Sequence, residues 1–426
     1  MTLSNPWFWL ALLATVGVWK LEFFATLLNL SALSPSVPES LRDTMTPEEH
    51  ERMLEYTRVT ATWDVWQSAV SLGLFIAVWW GGGFGWLDAT LAALGWGQVA
   101  TGLALFAILF LAQMAVSLPF QIHDTFGIEA RFGFNKTTPA TFVADGVKEL
   151  LLLALLGGPL LALLLWLFAE VPLAALYGFL AVAAFSLVMA FLSPRLILPL
   201  YFKIQPLDDE ALRADIVALA RKLGFPVGEV CMADGSRRST KANAFFTGFG
   251  KTKRIVLFDT LLQNHSREEI LAVLAHEIGH CQRRHVPQLL ALNLASMGLM
   301  FAVLHFALRD PRLCAAFGVA QPSAAWGLAL SAILWAPLST LIGLVSGWLS
   351  RKFEFEADAF AREAMGSPQP LTSALLRLSR DHLSNPTPHP FYVALHYSHP
   401  PVLARVAALA QTTAPQVSAE SATIGL

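Results

Sequence analysis

The chain has 426 residues, of which 55% are hydrophobic and 14% charged, and its mean hydropathy is +0.54. Soluble domains carry roughly 25% charged residues, so this composition excludes a soluble enzyme and indicates several membrane spans. A formal net charge of −2 without a long basic stripe excludes a nucleic-acid-binding protein. The three cysteines are too scattered for a disulfide framework or a cysteine-ligated metal.

The first 192 residues are predicted to form five membrane-spanning helices with connecting loops. We place these spans at about residues 7–30, 65–87, 99–120, 149–169 and 171–192. A separate helix of mixed charge is expected at 48–58. Lys20 and Glu22 fall within the first span, where ionisable groups are costly. Both side chains are therefore expected either to face water or protein, or to reach toward a membrane interface.

Residues 193–285 have the composition of a soluble domain. The pattern predicts an amphipathic helix over 208–223 with Asp208 as its N-cap. Three short strands are expected at 228–233, 242–249 and 254–258, with a turn at 250–251. The sequence Ser266-Arg267-Glu268-Glu269 predicts a capping box that opens the next helix.

That next helix contains a His-Glu-x-x-His motif. His276 and His280 lie one helical turn apart on the same face, so both imidazoles can bind one cation. Glu277 follows the first ligand and can hold a water at the open position of the metal. This layout is typical of a zinc peptidase with a third ligand from elsewhere. The alternative is a chance match on a surface helix, because the motif fixes only three positions.

Two more spans are predicted at about 286–308 and 324–349, followed by a polar helical segment at 350–411 and a disordered tail at 412–426. On a helix, Glu354 and Asp358 share a face while Glu356 points away. Glu354 would complete a His₂Glu zinc site, and Asp358 could hydrogen-bond a ligand imidazole. The segment taken alone is equally an ordinary solvated helix of mixed charge.

The distribution of basic residues predicts the orientation of the chain. Lys and Arg concentrate in the loops at 31–62 and 121–148 and in the segment 193–285, while the alternate loops contain few. The positive-inside rule then places the N-terminus outside and the His-Glu-x-x-His helix and C-terminus in the cytoplasm. Residues 422–426 contain neither a prenylatable cysteine nor a retrieval signal. We therefore expect a bacterial inner membrane rather than an ER membrane.

Several motifs together resemble those of the Ste24-type integral-membrane zinc metalloproteases, the CAAX prenyl protease 1 family (peptidase family M48). The resemblance runs from the first span to about residue 410. It rests on the His-Glu-x-x-His motif and on Phe353-Glu354-Phe355-x-Ala357-Asp358-Ala359-Phe360, Phe132-Gly133-Phe134-Asn135-Lys136, Asn243-Ala244-Phe245-Phe246 and Ser398-His399-Pro400-Pro401.

The resemblance implies a mainly α fold, in which seven transmembrane helices form a barrel around a water-filled chamber. A zincin-like metalloprotease domain with a small β-sheet would close this chamber on the cytoplasmic side. Lys20 and Glu22 would then face the chamber. One zinc ion per chain is expected, with His276, His280 and Glu354 as its ligands.

Roles for other residues also follow from the resemblance. Glu277 is expected to be the catalytic base, and the strand around Asn243 and Ala244 to pair with the substrate backbone. His399 is expected to stabilise the oxyanion. Arg405 is expected to form a supporting ion pair or to bind the substrate carboxylate.

The remaining histidines are predicted to be structural or surface groups. Among them, His285 lies five residues after His280, which on a continuous helix rotates it off the ligand face.

The resemblance implies a monomeric, lipid-embedded protease that removes the aaX tripeptide from prenylated CAAX proteins or peptides. An HtpX-like protease that degrades misfolded membrane proteins is the alternative. A third reading is a non-catalytic membrane chaperone or transporter whose structural zinc has a filled fourth position.

Overall fold

The computed structural model describes residues 4–42, 45–225, 227–247 and 254–411. Within these residues, six helices are long and apolar enough to cross a membrane, or seven if one bent pair counts as a single span. The six are Pro6–Ser31, Gln98–Glu129, Pro139–Glu170, Ala174–Tyr201, His285–Ala307 and Ala324–Met365. Single π-helical turns interrupt the first and third of these, at Leu13–Gly17 and Leu153–Gly157, and another ends the second, at Asp124–Glu129. The predicted membrane-protein class is confirmed.

The second predicted span has different limits in the structure. One helix of 34 residues, Pro47–Trp80, replaces the separate polar helix and most of the span, because no helix-breaking residue lies between the two. Thr46 and Glu49 form a capping box at its start. At its end Gly82 adopts a φ of +79°, and the chain bends by 60° into the helix Gly83–Ala92. The predicted limit at residue 87 thus falls beyond the bend.

The first membrane helix is tied to the C-terminal part of the chain. The Glu22 carboxylate lies 2.9 Å from the Nε2 of His396, and Asn29 Oδ1 accepts a hydrogen bond from the backbone N–H of His389 at 3.1 Å. Glu22 thus has a protein partner, as expected for an ionisable group within a span. Lys20 is exposed.

A four-stranded mixed sheet forms the β part of the fold, with strands β1 (Ile204–Pro206), β2 (Glu229–Ala233), β3 (Ala244–Thr247) and β4 (Arg254–Phe258). The strand order is β1-β2-β4-β3, with β2 and β4 parallel and the other pairs antiparallel. β2, β3 and β4 match the predicted strands, although residues 248–253, with the predicted turn, lie outside the described residues. β1 was not predicted, because three residues ending in proline carry no periodic signal.

The amphipathic helix of the soluble part is Glu210–Lys222. Its N-cap is Asp209 and not the predicted Asp208, because the Asp209 carboxylate is the one that accepts a hydrogen bond from the Leu212 N–H, at 2.8 Å. The predicted apolar stripe is confirmed: Leu212 and Ile216 are buried against Ile255 and Leu257 of the sheet.

Shorter helices complete the fold at Asp259–Asn264, Arg267–Gln282, Arg312–Ala316, Gln369–Asp381, Pro390–His396 and Val402–Ala410. The 42-residue helix Ala324–Met365 continues without a break through the predicted boundary at 349/350 between membrane span and polar segment. At 1.5 Å per residue this last membrane helix is about 63 Å long, about twice the hydrocarbon thickness of a bilayer. The predicted tail at 412–426 lies outside the described residues.

Candidate metal centre

The helix Arg267–Gln282, which we call the motif helix, carries the His-Glu-x-x-His residues. Its predicted capping box is confirmed: Ser266 caps the N–H of Glu269, and the Glu269 carboxylate accepts the N–H of Ser266 at 2.8 Å. Ile270 and Leu274, on a different side of the helix from the two histidines, are buried in the core formed with the sheet. The helix is therefore fixed at its start and along its apolar face.

Three potential ligand side chains converge on one point. The Nε2 atoms of His276 and His280 are 3.1 Å apart, and the Glu354 carboxylate lies 3.5 Å from the first and 3.3 Å from the second. A tetrahedral zinc ion with bonds of 2.0–2.1 Å separates its ligand atoms by roughly 3.3 Å. The spacing and the two-imidazole, one-carboxylate donor set therefore fit a zinc ion.

A glycine lets the last membrane helix bring Glu354 to the motif helix. A Cβ atom at Gly279 would lie 3.2 Å from the Cα of Ala357 and 3.1 Å from the ring of Phe360. A side chain at this position would force its neighbours to shift, so glycine favours this close approach of the two backbones. The two helices consequently meet directly beside His280.

A buried ion pair supports the first ligand. Asp358 accepts a hydrogen bond from His276 Nδ1 at 2.8 Å, which leaves the Nε2 lone pair directed to the cluster. Arg405 donates two hydrogen bonds to Asp358, at 2.8 and 2.6 Å, and its Nη1 lies 3.1 Å from Glu354. All four side chains are buried, with Arg405 only 7% exposed.

The electrostatic environment affects the titration of the motif residues. Burial opposes the charged form of His276, but hydrogen bonds to Asp358 and Glu354 outweigh it and raise the pKa of His276 to about 9. A metal ion at Nε2 would compete with that proton. Burial raises the pKa of Glu277, although the neighbouring histidines His276 and His280 oppose the shift.

His399 lies at the rim of the cluster. Its Nε2 is 3.3 Å from Glu354, its Nδ1 is 2.9 Å from the Ser398 hydroxyl, and its side chain is 63% exposed. An imidazole in this position can reach both the cluster and a bound molecule.

Asn243 and Ala244 lie at the start of the edge strand β3. The Asn243 carbonyl accepts the N–H of Phe258 from β4, at 3.0 Å. Because hydrogen-bonded pairs alternate in an antiparallel ladder, the backbone groups of Ala244 and Phe246 point to the outer edge. No strand of the described residues covers that edge. The Asn243 side-chain oxygen Oδ1 accepts a hydrogen bond from the N–H of Ala244 at 2.8 Å.

The prediction that His285 is rotated away from the ligands is wrong. A separation of five residues gives that rotation only on one continuous helix, but the motif helix ends at Gln282 and Arg284 adopts a φ of +57°. This turn brings His285 back to His280, with their Nδ1 atoms 2.9 Å apart. Pro287, three residues after Arg284, is the local sequence signal for this break, because a proline commonly follows the end of a helix.

Comparisons with known proteins agree with this fold and site. Residues 26–203 match the family described as CAAX prenyl protease N-terminal, five membrane helices, and residues 206–413 match peptidase family M48. The CAAX prenyl protease 1 homolog of Arabidopsis thaliana is 34% identical over 399 residues, 91% of this chain and 94% of the relative. CAAX prenyl protease 1 of Saccharomyces cerevisiae is 34% identical over 328 residues, 73% of this chain and 72% of the relative.

A solved structure is similar over nearly the whole length. The crystal structure of S. mikatae Ste24p superimposes with a TM-score of 0.87 and 30% identity, covering 95% of this chain and 99% of that one. Fold, ligand cluster and similarities together define an integral-membrane metalloendopeptidase. The chain belongs to the CAAX prenyl protease 1 family within peptidase family M48.

Proposed function

We propose that the protein is a zinc-dependent endopeptidase that removes the aaX tripeptide from prenylated CAAX C-termini. The observation that carries the metal assignment is the convergence of the imidazoles of His276 and His280 and the carboxylate of Glu354 within 4.8 Å of one another. The names of the curated relatives support the substrate class. One zinc ion per chain fits the single cluster of this kind found in the described residues.

When bound, zinc supplies Lewis-acid polarisation of the scissile carbonyl and acidifies the attacking water. Glu277 accepts a proton from that water and passes it to the leaving amine. Asp358 holds the His276 imidazole in the tautomer that leaves Nε2 free for the metal. His399 donates a hydrogen bond to the oxygen that becomes negatively charged in the transition state.

The substrate binds in extended conformation along the outer edge of β3. The carbonyl of Ala244 and the backbone groups of Phe246 face that edge and pair with the peptide. The Asn243 side chain, which accepts a hydrogen bond from the Ala244 N–H, shapes the start of the strand. The buried guanidinium of Arg405 has two carboxylates as partners, and this geometry favours the supporting ion pair over the substrate carboxylate.

Two other functions differ in what they require of the site. An HtpX-like quality-control protease would use the same residues on misfolded membrane proteins. A chaperone or transporter with structural zinc would fill the fourth metal position with another protein ligand. Among the described residues the cluster holds three ligand groups and has Glu277 beside them on the motif helix, which favours catalysis.

The deciding experiment is cleavage of a farnesylated CAAX peptide by purified protein of known zinc content, beside the Glu277→Gln variant. The expected result is release of the terminal tripeptide by the wild type only, with equal zinc in both proteins. An intact farnesylated peptide with one zinc per chain would favour the quality-control substrate. Absence of both zinc and cleavage would favour the non-catalytic protein.

We further propose that the protein is a monomer whose motif helix lies on the cytoplasmic side, closing a water-filled chamber between the membrane helices. The excess of Lys and Arg in segment 193–285 supports this orientation. In sealed vesicles of known sidedness, the cysteine of the Arg213→Cys variant should react with a membrane-impermeant thiol reagent only from the cytoplasmic side. The preference for a bacterial inner membrane over the ER membrane stays a prediction, as does the division into domains at 192, 285, 349 and 411.

A further inference from the structure

His285 and Glu356 form a second hydrogen-bond chain behind the metal ligands. His285 is 1% exposed, and its ring stacks on Phe353 at 4.0 Å between centroids with 5° between the planes. Both ring nitrogens have polar partners: Nδ1 faces His280 Nδ1 at 2.9 Å, and Nε2 faces the Glu356 carboxylate at 3.1 Å. A packed residue with both nitrogens engaged has a fixed orientation.

The positions of the protons in this chain follow from its chemistry. A carboxylate only accepts hydrogen bonds, so His285 Nε2 carries the proton that it donates to Glu356. His280 Nε2 must be unprotonated to bind a metal, so the proton of that ring is on Nδ1. His285 Nδ1 must then accept the proton donated by His280 Nδ1. Only one tautomer of each ring satisfies all three contacts.

We propose that His285 and Glu356 are positioning residues for the metal ligand His280, a proposal that rests on the zinc site proposed above. Asp358 holds His276 directly, whereas the carboxylate of Glu356 acts on His280 through the intervening imidazole. Asp358 thus fixes the tautomer of His276 by direct contact, and Glu356 fixes the tautomer of His280 through His285. Partners of this kind raise metal affinity by holding the ligand nitrogen on its target.

The test measures zinc affinity by competition with a chromophoric chelator, in full-length protein in detergent. His285→Phe keeps the ring stack on Phe353 but removes both nitrogens, and it should weaken zinc binding by about 10–100-fold. Glu356→Leu should weaken it less, because His285 keeps its ring in place. His285→Asn, which retains an acceptor near the Nδ1 position, should recover part of the affinity. His50→Phe is the matched control, since His50 is also 1% exposed but binds Ser34 far along the chain.

A relay also makes a specific prediction for the double variant. Because Glu356 acts through His285, adding Glu356→Leu to His285→Phe should cause no further loss of zinc affinity. The relay would be overturned if the fold-losses of zinc affinity in the two single variants multiplied in the double variant. It would also be overturned if the zinc affinity of His285→Phe were within twofold of wild type. If His285→Phe does not fold, Glu356→Leu alone decides, since Glu356 is 35% exposed and unchanged zinc affinity would refute the proposal. A wild type that binds no zinc would instead overturn the metal site itself.

Discussion

Arg405 illustrates how a buried charge is tolerated beside a metal cluster. Its guanidinium contacts Asp358 through two hydrogen bonds and Glu354 through Nη1, so that its charge and those of the carboxylates offset each other. A buried charge without a partner costs several kcal/mol, whereas exposed pairs contribute little. The residue therefore matters to the fold as much as to the site.

Replacing Arg405 with Leu should destabilise the protein by about 3–5 kcal/mol, because two buried carboxylates lose their partner. The measurement is thermal unfolding in detergent, read as a lower midpoint. Arg213→Leu is the control: its pair with Glu210 is exposed and should contribute less than about 1 kcal/mol. Equal midpoints for the two variants would contradict the stabilising role of Arg405.

His399→Ala should lower kcat by about 100-fold and leave zinc content unchanged, because His399 is assigned to the developing oxyanion and not to the metal. The loss should be smaller than that of His276→Ala, which removes a ligand. Peptide cleavage and zinc analysis on the same preparation check both statements. His305→Ala, far from the cluster along the chain, is the control variant. An unchanged cleavage rate would remove His399 from the proposed mechanism.

At the scale of elements, the centre depends on where two helices meet. The motif helix supplies two ligands and the last membrane helix supplies the third, and Gly279 sets their separation. Most of the remaining contact is made by small residues, with Ala272 and Ala275 buried against Ala361. An added methyl group at Gly279 would crowd this contact and force its neighbours to shift.

Gly279→Ala should separate these helices, costing about 1–3 kcal/mol in stability and weakening zinc binding. Its new methyl group would meet the backbone of Ala357, which cannot rotate away. Gly343→Ala on the last membrane helix is the matched control, because nothing lies within 4 Å of its added Cβ. Unfolding midpoints and chelator competition for both variants provide the comparison. Wild-type zinc affinity in Gly279→Ala would show that the close approach does not set the ligand geometry.

The sequence predicted elements better than the contacts between them. The capping box at Ser266 and the apolar stripe around Ile216 are local patterns, and both are present in the structure. The contact at Gly279 depends on residues some 80 positions away, and Pro287 indicates a break near Arg284 without specifying the direction in which the chain turns. His285 could therefore not be placed beside the cluster from periodicity alone, because periodicity holds only within one unbroken helix.

At the scale of the whole molecule, metal and fold are coupled. The ligands come from segments about 75 residues apart in sequence that meet only in the folded chain, as the positions of His280 and Glu354 show. A metal bound only by the native state stabilises it by mass action.

Removing zinc with a chelator should abolish cleavage and lower the unfolding midpoint. With free zinc at 100 times its dissociation constant, the stabilisation lost is about 2.7 kcal/mol. Readdition of zinc should restore both properties, whereas magnesium should restore neither, because it prefers an octahedral shell of oxygen ligands. Full activity after verified removal of the metal would contradict the proposed chemistry.

The unbroken helix Ala324–Met365 also gives the enzyme a mechanical property. The first part of this helix lies in the membrane, and its last third carries the carboxylate of Glu354. A helix adjusts to a thicker or thinner bilayer by changing its tilt, and a stiff rod acts as a lever that carries this rotation to its far end. We therefore expect the thickness of the surrounding membrane to affect the geometry of the metal site.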